Sequence, residues 1–200
     1  MPLTNKERII AYWSRQASRY QEEHQSGLRA HFRKREIKNN LELLQLRPGE
    51  AVLDAGAGSG ISTAPLMGEE RWVLAVDFSP EMVRRARARG LWARVEDVET
   101  MNLEKKFDKI LAAGVFEYLL HPSKALDNLV RHLKPGGLIV IVVPNFSFPG
   151  LGYFFYHLLK GVKVRLFSFR ALKRLLVAGG LVLTDFRKSN LAWHVSAHKL

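Results

Sequence analysis

The stretch VLDAGAGSG at residues 52–60 decides how this chain folds, because a short apolar run ends there in three glycines at alternate positions. Glycine adopts backbone torsions that are closed to other residues, and it lets the main chain approach a ligand closely. A strand that ends in a tight glycine turn before a helix forms the cleft in which open α/β sheets bind their cofactors. The stretch therefore predicts a cofactor site beside Gly56 and Gly58.

A second signal stands at the end of the next apolar run, where Asp77 follows Gly56 by 21 residues. A carboxylate at the end of a neighbouring strand can accept hydrogen bonds from both hydroxyls of a ribose. A dinucleotide site would require the spacing G-x-G-x-x-G, but its third glycine would fall at Ile61. The spacing here is G-x-G-x-G preceded by Asp54, which disfavours an NAD-dependent reductase.

Asp54, the glycines and Asp77 together resemble the first motifs of the class I methyltransferases that use S-adenosylmethionine. Three later segments keep the register of that family: 94–98, which ends near an acid, 107–119, similar to its fourth-strand motif, and 133–141, similar to its turn into strand five. The resemblance is tight over residues 49–145 and looser beyond them. Within the family, the chain most resembles the small single-domain enzymes of ubiquinone and porphyrin biosynthesis.

This resemblance implies a Rossmann-like α/β fold, a doubly wound sheet of seven mostly parallel strands with an antiparallel last strand and helices on both faces. Apolar runs that alternate with helical patterns favour the same arrangement. We predict one methyltransferase domain over residues 1–200, with a helical cap at 1–47 and a substrate lid at 145–166. The predicted strands are 51–55, 72–76, 92–96, 109–113, 138–143, 182–187 and 192–197.

The resemblance also implies roles for residues at the first two strand ends. Gly56 and Gly58 let the backbone approach the methionine and ribose portions of the cofactor. Asp54 orients the turn and reaches the methionine ammonium, and Asp77 binds the ribose hydroxyls. A single aspartate at a strand end is otherwise explained by turn capping.

Four further residues complete the implied cofactor site. Phe78 packs on the adenine, Asp97 accepts from the adenine amino group with the Val98 amide beside it, and Ala113 offers its carbonyl to the ammonium. Near the start of the chain, aromatic residues often close over the cofactor in similar enzymes. Tyr12 and Tyr20 fit that role, although amphipathic helix positions also suit core packing.

No residue of this chain is marked as catalytic by its pattern. S-adenosylmethionine carries an already activated methyl group, so holding the acceptor in line can supply about 7–11 kcal/mol of barrier reduction. Side chains that could accept a proton near neutral pH are few, and the one beside the aromatic insert is favoured. No cluster has metal-ligand spacing, so we predict no metal. The candidate bases are His24, His31, Glu117, His121 and, as the favoured one, His157.

The composition limits the classes of function. The chain has 200 residues, no cysteine, a formal net charge of +12 and a pI near 10.2. The absence of cysteine excludes a cysteine nucleophile, and residues 1–16 lack the pattern of a secretory signal. No acidic residue stands between Asp127 and Asp185, which favours anionic partners or a plain solvated surface. The basic residues of that interval are Arg131, Lys134, Lys160, Lys163, Arg165, Arg170, Lys173 and Arg174.

The predicted function is methyl transfer to a small hydrophobic acceptor in the cytoplasm, with an anionic membrane surface as a second partner for the lid. The lid combines Phe154, Phe155 and Tyr156 with a basic rim, although these aromatics also suit ordinary packing on the core. An RNA methyltransferase and a non-catalytic methyltransferase-like subunit are the competing functions. Against RNA, the segment 113–116 reads AGVF instead of the N/D-P-P-Y of amino-directed base methylation.

Overall fold

The structure, a computed structural model, describes residues 4–23, 27–68 and 70–200, with no side chain described from residue 18 to residue 30. The seven predicted strands are present. Each begins within two residues of its predicted start, except β5, which begins earlier. They are β1 Ala51–Ala55, β2 Trp72–Asp77, β3 Trp92–Val95, β4 Phe107–Ala113, β5 Leu133–Pro144, β6 Leu181–Lys188 and β7 Ala192–Lys199.

Six α-helices in the described residues surround these strands. They are α1 Asn5–Glu23, α2 Gly27–Leu44, α3 Pro80–Ala88, α4 Pro122–His132, α5 Phe148–Leu159 and α6 Phe169–Ala178. Three of them, α3, α5 and α6, begin at a serine whose side chain caps the helix. Ser79 accepts a hydrogen bond from the Met82 amide before Pro80, and Ser147 accepts one from the Gly150 amide, which satisfies amides that the first turn leaves unpaired.

The strands form one sheet in the order β3-β2-β1-β4-β5-β7-β6. Strand β7 runs antiparallel to both β5 and β6, whereas the pairs among β1 to β5 are parallel. This confirms the predicted seven-stranded, mostly parallel sheet with an antiparallel last strand. The strand order reverses between β1 and β4, and ligands of open α/β sheets bind at such a switch point.

Both faces of the sheet are covered, because successive strand residues point to opposite sides. Leu53 lies on one face, in the core that includes Leu126 of α4 and Leu172 of α6. Val52 lies on the other face, with Leu43 of α2. Helix α3 completes this second face by packing on β2 and β3. The doubly wound architecture is therefore confirmed, and it leaves the carboxyl ends of the strands open at one edge.

Two segments approach that edge. Helices α1 and α2 occupy the region predicted as a helical cap, and α5 occupies the region predicted as a lid. The division of the chain into one domain with a cap and a lid stays a prediction. Among the described residues, no helix is both long enough and apolar enough to cross a bilayer.

Candidate active site

A cavity of about 890 Å³ opens at the carboxyl ends of β1, β2, β4 and β5. Its walls come from the strand ends, from α1 and α2, and from α5. All eight residues predicted for the cofactor line this one cavity: Asp54, Gly56, Gly58, Asp77, Phe78, Asp97, Val98 and Ala113. Their roles toward the cofactor stay predictions, but the fold places them together as the sequence register requires.

The two predicted glycines differ in what surrounds them. Gly56 has φ +78°, and a Cβ atom built there would lie 2.7 Å from Cβ of Val115. Gly58 has φ +56°, and the space beside it contains no described atom within 4 Å. Gly56 is therefore required by close packing of the strand-four segment, whereas Gly58 leaves room for a ligand against the backbone.

Asp77 and Asp54 hold the glycine turn in place. The carboxylate of Asp77 accepts hydrogen bonds from the amides of Gly58 and Ser79, each at 2.9 Å. Burial raises the pKa of Asp77 to about 6, although both amides oppose the shift. Asp54 accepts a 2.6 Å hydrogen bond from the Thr63 hydroxyl, and burial raises its pKa to about 7. The two carboxyls thus carry protons over part of the range below neutral pH.

Asp97 has a partner that the sequence did not indicate. The ammonium of Lys6 on α1 forms an ion pair with the Asp97 carboxylate, and the Glu99 amide donates a 3.0 Å hydrogen bond to the same side chain. The carbonyl of Val98 accepts a 3.0 Å hydrogen bond from Asn128 of α4. The loop after β3 is therefore anchored on both sides, and α1 closes over the predicted adenine end.

Ring side chains line another part of the cavity, which we call the aromatic part. The ring of His157 on α5 contacts the rings of Tyr12 and Trp13 on α1, and the ring of Tyr153 lies 4.4 Å from it between centroids. Tyr118, in the 3₁₀ turn Phe116–Tyr118 after β4, shares a hydrogen bond with the Tyr153 hydroxyl. These rings form a rigid, largely apolar wall.

Glu117 is the one acidic side chain of that 3₁₀ turn, and it is buried against the same wall. Its Oε1 accepts a 3.4 Å hydrogen bond from the Tyr153 hydroxyl, while its Oε2 has no hydrogen-bond partner within the described part of the chain. Burial raises the pKa of Glu117 to about 8. At neutral pH this carboxyl is therefore mostly protonated.

The remaining candidate bases lie in different surroundings. His157 lines the cavity, but burial lowers its pKa to about 4, so its ring is neutral at pH 7. His31 and His121 are exposed, do not line the cavity, and the His121 side chain makes no cap hydrogen bond to α4. His24 and the side chain of Tyr20 lie outside the described residues.

Helix α2 contributes an ion pair that no sequence motif marks. Arg33 and Glu36 both line the cavity, and their charged groups lie 3.9 Å apart. Burial lowers the pKa of Arg33 and raises that of Glu36. Their i,i+3 spacing on a helix lets the two side chains pair with each other, but only packing reveals that they face the site.

The sheet order, the glycine turn and the acids at three strand ends define an α/β cofactor-binding protein of the doubly wound class. A profile of the methyltransferase domain family matches residues 29–185. The chain therefore belongs to the methyltransferase domain family, the class I enzymes that use S-adenosylmethionine, and the resemblance stated from the sequence is confirmed.

Individual relatives agree with this assignment. The malonyl-[acyl-carrier protein] O-methyltransferase of Herminiimonas arsenicoxydans is 34% identical over 145 residues, which is 70% of this chain and 52% of that protein. The ubiquinone biosynthesis O-methyltransferase of Xylella fastidiosa is 30% identical over 48% of this chain and 43% of its own length. The chain thus spans about half the length of these curated relatives.

A solved structure supports the fold. The magnesium protoporphyrin IX methyltransferase of Synechocystis PCC 6803, crystallised with S-adenosylhomocysteine, superposes with a TM-score of 0.80 at 14% identity. The match covers 98% of this chain and 100% of that chain. At this identity the likeness concerns the fold alone.

Proposed function

We propose that this protein transfers a methyl group from S-adenosylmethionine to a small, hydrophobic acceptor. One observation carries the proposal: the glycine turn and the three strand-end acids line the same cavity as an aromatic wall. The volume of about 890 Å³ lies toward the upper end of the usual range of ligand pockets, about 300–1,000 Å³. A cofactor and an acceptor can therefore share it.

The residues that line the cavity divide into a set for the cofactor and an aromatic set for the acceptor. The cofactor set has the following roles. Asp77 receives the ribose hydroxyls and Asp97 the adenine amino group, with Phe78 packed on the adenine. Gly58 gives the main chain close approach, and the carbonyl of Ala113 receives the ammonium. The bound cofactor supplies an activated methyl group, and the chain itself positions the acceptor and excludes water, which can lower the barrier by about 7–11 kcal/mol.

Calorimetry tests the cofactor half. The protein should bind S-adenosylhomocysteine with micromolar affinity and bind NAD weakly. Asp77→Ala should lose about 1.5–3 kcal/mol of binding free energy, as expected for hydrogen bonds to a charged group. Asp108→Ala is the matched control, because Asp108 pairs with Lys134 and does not line the cavity. Tighter binding of NAD than of S-adenosylhomocysteine would contradict the assignment of an S-adenosylmethionine site. Undiminished binding of S-adenosylhomocysteine by Asp77→Ala would show that Asp77 does not contact the ligand.

The names of the relatives favour small or carrier-bound acceptors, since one acts on malonyl-[acyl-carrier protein] and another belongs to ubiquinone biosynthesis. The aromatic lining favours a hydrophobic acceptor in this chain as well. RNA is the competing acceptor, since the net charge is +12 and basic aromatic surfaces bind single strands. A purified protein with high absorbance at 260 nm that nuclease and salt remove would favour RNA. A non-catalytic subunit is the third hypothesis, and methyl transfer to any acceptor excludes it.

Helix α5 supports a second part of the proposal, contact with an anionic membrane surface. Its outer side carries large apolar side chains at intervals of three and four residues, and Phe148 and Leu159 are 91% and 87% exposed. Phe154 instead packs inward, so the predicted aromatic patch is divided between two faces. Amphipathic helices with an apolar stripe and basic flanks lie in membrane interfaces. The stripe is Phe148, Leu151, Phe155 and Leu159, and the exposed basic rim is Lys160, Lys163 and Arg165.

Liposome flotation tests this contact. Each basic side chain near an anionic leaflet contributes about 1 kcal/mol, and the attraction is screened by salt. Changing the basic rim to glutamate should abolish flotation while S-adenosylhomocysteine affinity is kept. The matched control reverses three charges on α6, Arg170, Lys173 and Arg174, and it should reduce flotation less. A wild-type protein that ignores anionic liposomes at low salt contradicts the membrane contact.

A further inference from the structure

The aromatic part of the cavity also contains one buried carboxyl, and one oxygen of that carboxyl is unpaired. Glu117 is only 5% exposed, yet it lines the cavity. Its Oε2 has no hydrogen-bond partner among the described residues. Buried polar atoms are almost always hydrogen-bonded, so an unpaired one on a residue that lines a cavity indicates that a ligand group can pair with it.

The position of Glu117 is firmly held. Its backbone carbonyl accepts a 2.9 Å hydrogen bond from the Arg165 amide, which ties its turn to the segment after α5. A Cβ atom built on Gly114 would lie 3.7 Å from Oε1, so the carboxyl rests against the end of β4. Tyr153 and Tyr118 hold Oε1 through linked hydroxyls. This leaves Oε2 as the unpaired atom of a carboxyl that stands next to the strand end at which the cofactor is proposed to bind.

The surrounding rings define the shape of a matching ligand. The rings of Tyr12, Tyr118 and Tyr153 contact that of His157 at angles of 60–76°. Such edge-to-face surroundings favour a planar aromatic guest, because ring edges and faces attract. The guanidinium of Arg33, whose charge acts on Tyr153, already pairs with a carboxylate of its own helix. The ligand therefore needs a flat apolar body with one donor group.

We propose that the aromatic part of the cavity binds a planar aromatic alcohol and that Oε2 of Glu117 accepts the proton of the hydroxyl that is methylated. This deepens the proposed function and rests on it. The hydroxyl oxygen bonds to the donor methyl carbon, and the carbon–sulfur bond breaks with its electron pair left on sulfur. The hydroxyl proton passes to Glu117 and then to solvent. The products are an aryl methyl ether and S-adenosylhomocysteine.

The ionisation of Glu117 controls this proton transfer, because only the carboxylate can act as a base. Its pKa of about 8 is raised first by burial and also by the charge of Glu36, and it is lowered by the hydrogen bond from Tyr153. Among the described residues, Glu117 also interacts with Tyr118 of its own turn. Tyr12 on α1 and His157 on α5 interact with Tyr118. Arg33 on α2 interacts with Glu36 and Tyr153. Glu117 should therefore begin to act as a base as the pH rises through about 8, where its carboxyl loses its proton.

The probe is 2-naphthol, a planar aromatic alcohol whose excited state loses its proton to a neighbouring base and then emits as naphtholate. It is titrated into the full chain saturated with S-adenosylhomocysteine, with protein in excess. Decahydro-2-naphthol, the saturated and non-planar analogue, is the matched ligand. We expect 2-naphthol to bind about tenfold more tightly, the effect of one favourable aromatic contact. Equal affinities overturn the aromatic subsite.

The emission of bound 2-naphthol tests Glu117 itself. Naphtholate emission should grow through about pH 8 and should be lost in Glu117→Gln, which keeps the size of the side chain. Unchanged S-adenosylhomocysteine affinity in that variant shows that it folds. Neutral-form emission from the wild type at every pH, or unchanged emission in Glu117→Gln, overturns the proton-accepting role.

Two further variants shift the emission midpoint in opposite directions, which a merely structural role would not do. Glu36→Gln removes a like charge and should move the midpoint to lower pH. Tyr153→Phe removes the hydrogen bond that favours the carboxylate and should move it to higher pH. Midpoints that do not separate overturn the proposal. Failure of the wild type to bind S-adenosylhomocysteine contradicts the proposed function instead, so the two failures are distinguishable.

Discussion

The glycine turn offers a sharp test, because two neighbouring glycines with the same backbone hand should respond differently to the same substitution. Gly56 has φ +78° and Gly58 has φ +56°, so alanine at either position adopts a left-handed conformation. That conformation costs an ordinary residue about 1–2 kcal/mol. Only at Gly56 does the new methyl group also meet a neighbour, 2.7 Å from Cβ and 2.8 Å from Cγ2 of Val115.

The second contribution sets the expected difference. Overpacking of a filled site costs about 1–3 kcal/mol, so Gly56→Ala should lower the free energy of unfolding by about 2–5 kcal/mol. Gly58→Ala should lower it by about 1–2 kcal/mol. In a chain of this size each kcal/mol corresponds to about 2–4 °C in Tm. Since Cβ of Val115 is itself in contact, Val115→Ala should rescue Gly56→Ala only in part.

Urea denaturation of the protein without added ligand measures both losses, and calorimetry with S-adenosylhomocysteine gives the complementary reading. Gly58→Ala should lose affinity out of proportion to its stability loss, because its methyl group would enter the open space beside the turn. Equal losses of stability in the two variants would refute the assignment of Gly56 to packing. Full affinity in Gly58→Ala would refute the close approach of a ligand there.

Three further predictions concern individual side chains. Asp54 should contribute a fall in the free energy of unfolding as the pH rises from about 4 toward 7, because folded Asp54, with its pKa of about 7, keeps a proton that the unfolded carboxyl releases. Asp54→Asn should flatten this slope in denaturation curves taken along the pH range. Lys6→Met removes the ion pair to Asp97, and because both side chains reach solvent it should cost no more than about 1 kcal/mol. A larger loss of stability, or one that does not depend on salt, would contradict the assignment of this pair as a weak surface ion pair. His132→Leu should lower the free energy of unfolding by about 1–3 kcal/mol, because the His132 ring accepts a hydrogen bond of 2.9 Å from the Leu103 amide. The affinity for S-adenosylhomocysteine should stay unaltered, which is the control.

The sequence alone determined the sheet and the location of the site. Strand ends were readable because apolar runs stop at Asp54, Asp77 and Asp97 or at glycine, and these are local signals. Parallel strands with crossover helices bring their carboxyl ends to one edge, so residues far apart in the chain could be assigned to a single cavity before any contact was known. The eight residues predicted to bind the cofactor share that cavity for this reason.

Tertiary structure alone decided which side chains complete the site and what their charges are. Lys6 reaches Asp97 across 91 residues, and Arg33 and Glu36 enter through the packing of α2, with no local pattern to mark them. The sequence offered Glu117 and His157 together as candidate bases, with the histidine favoured. Burial raises the pKa of the carboxyl and lowers that of the imidazole, because a low-dielectric site disfavours whichever form is charged. Such desolvation depends on every neighbour at once, and no stretch of sequence contains it.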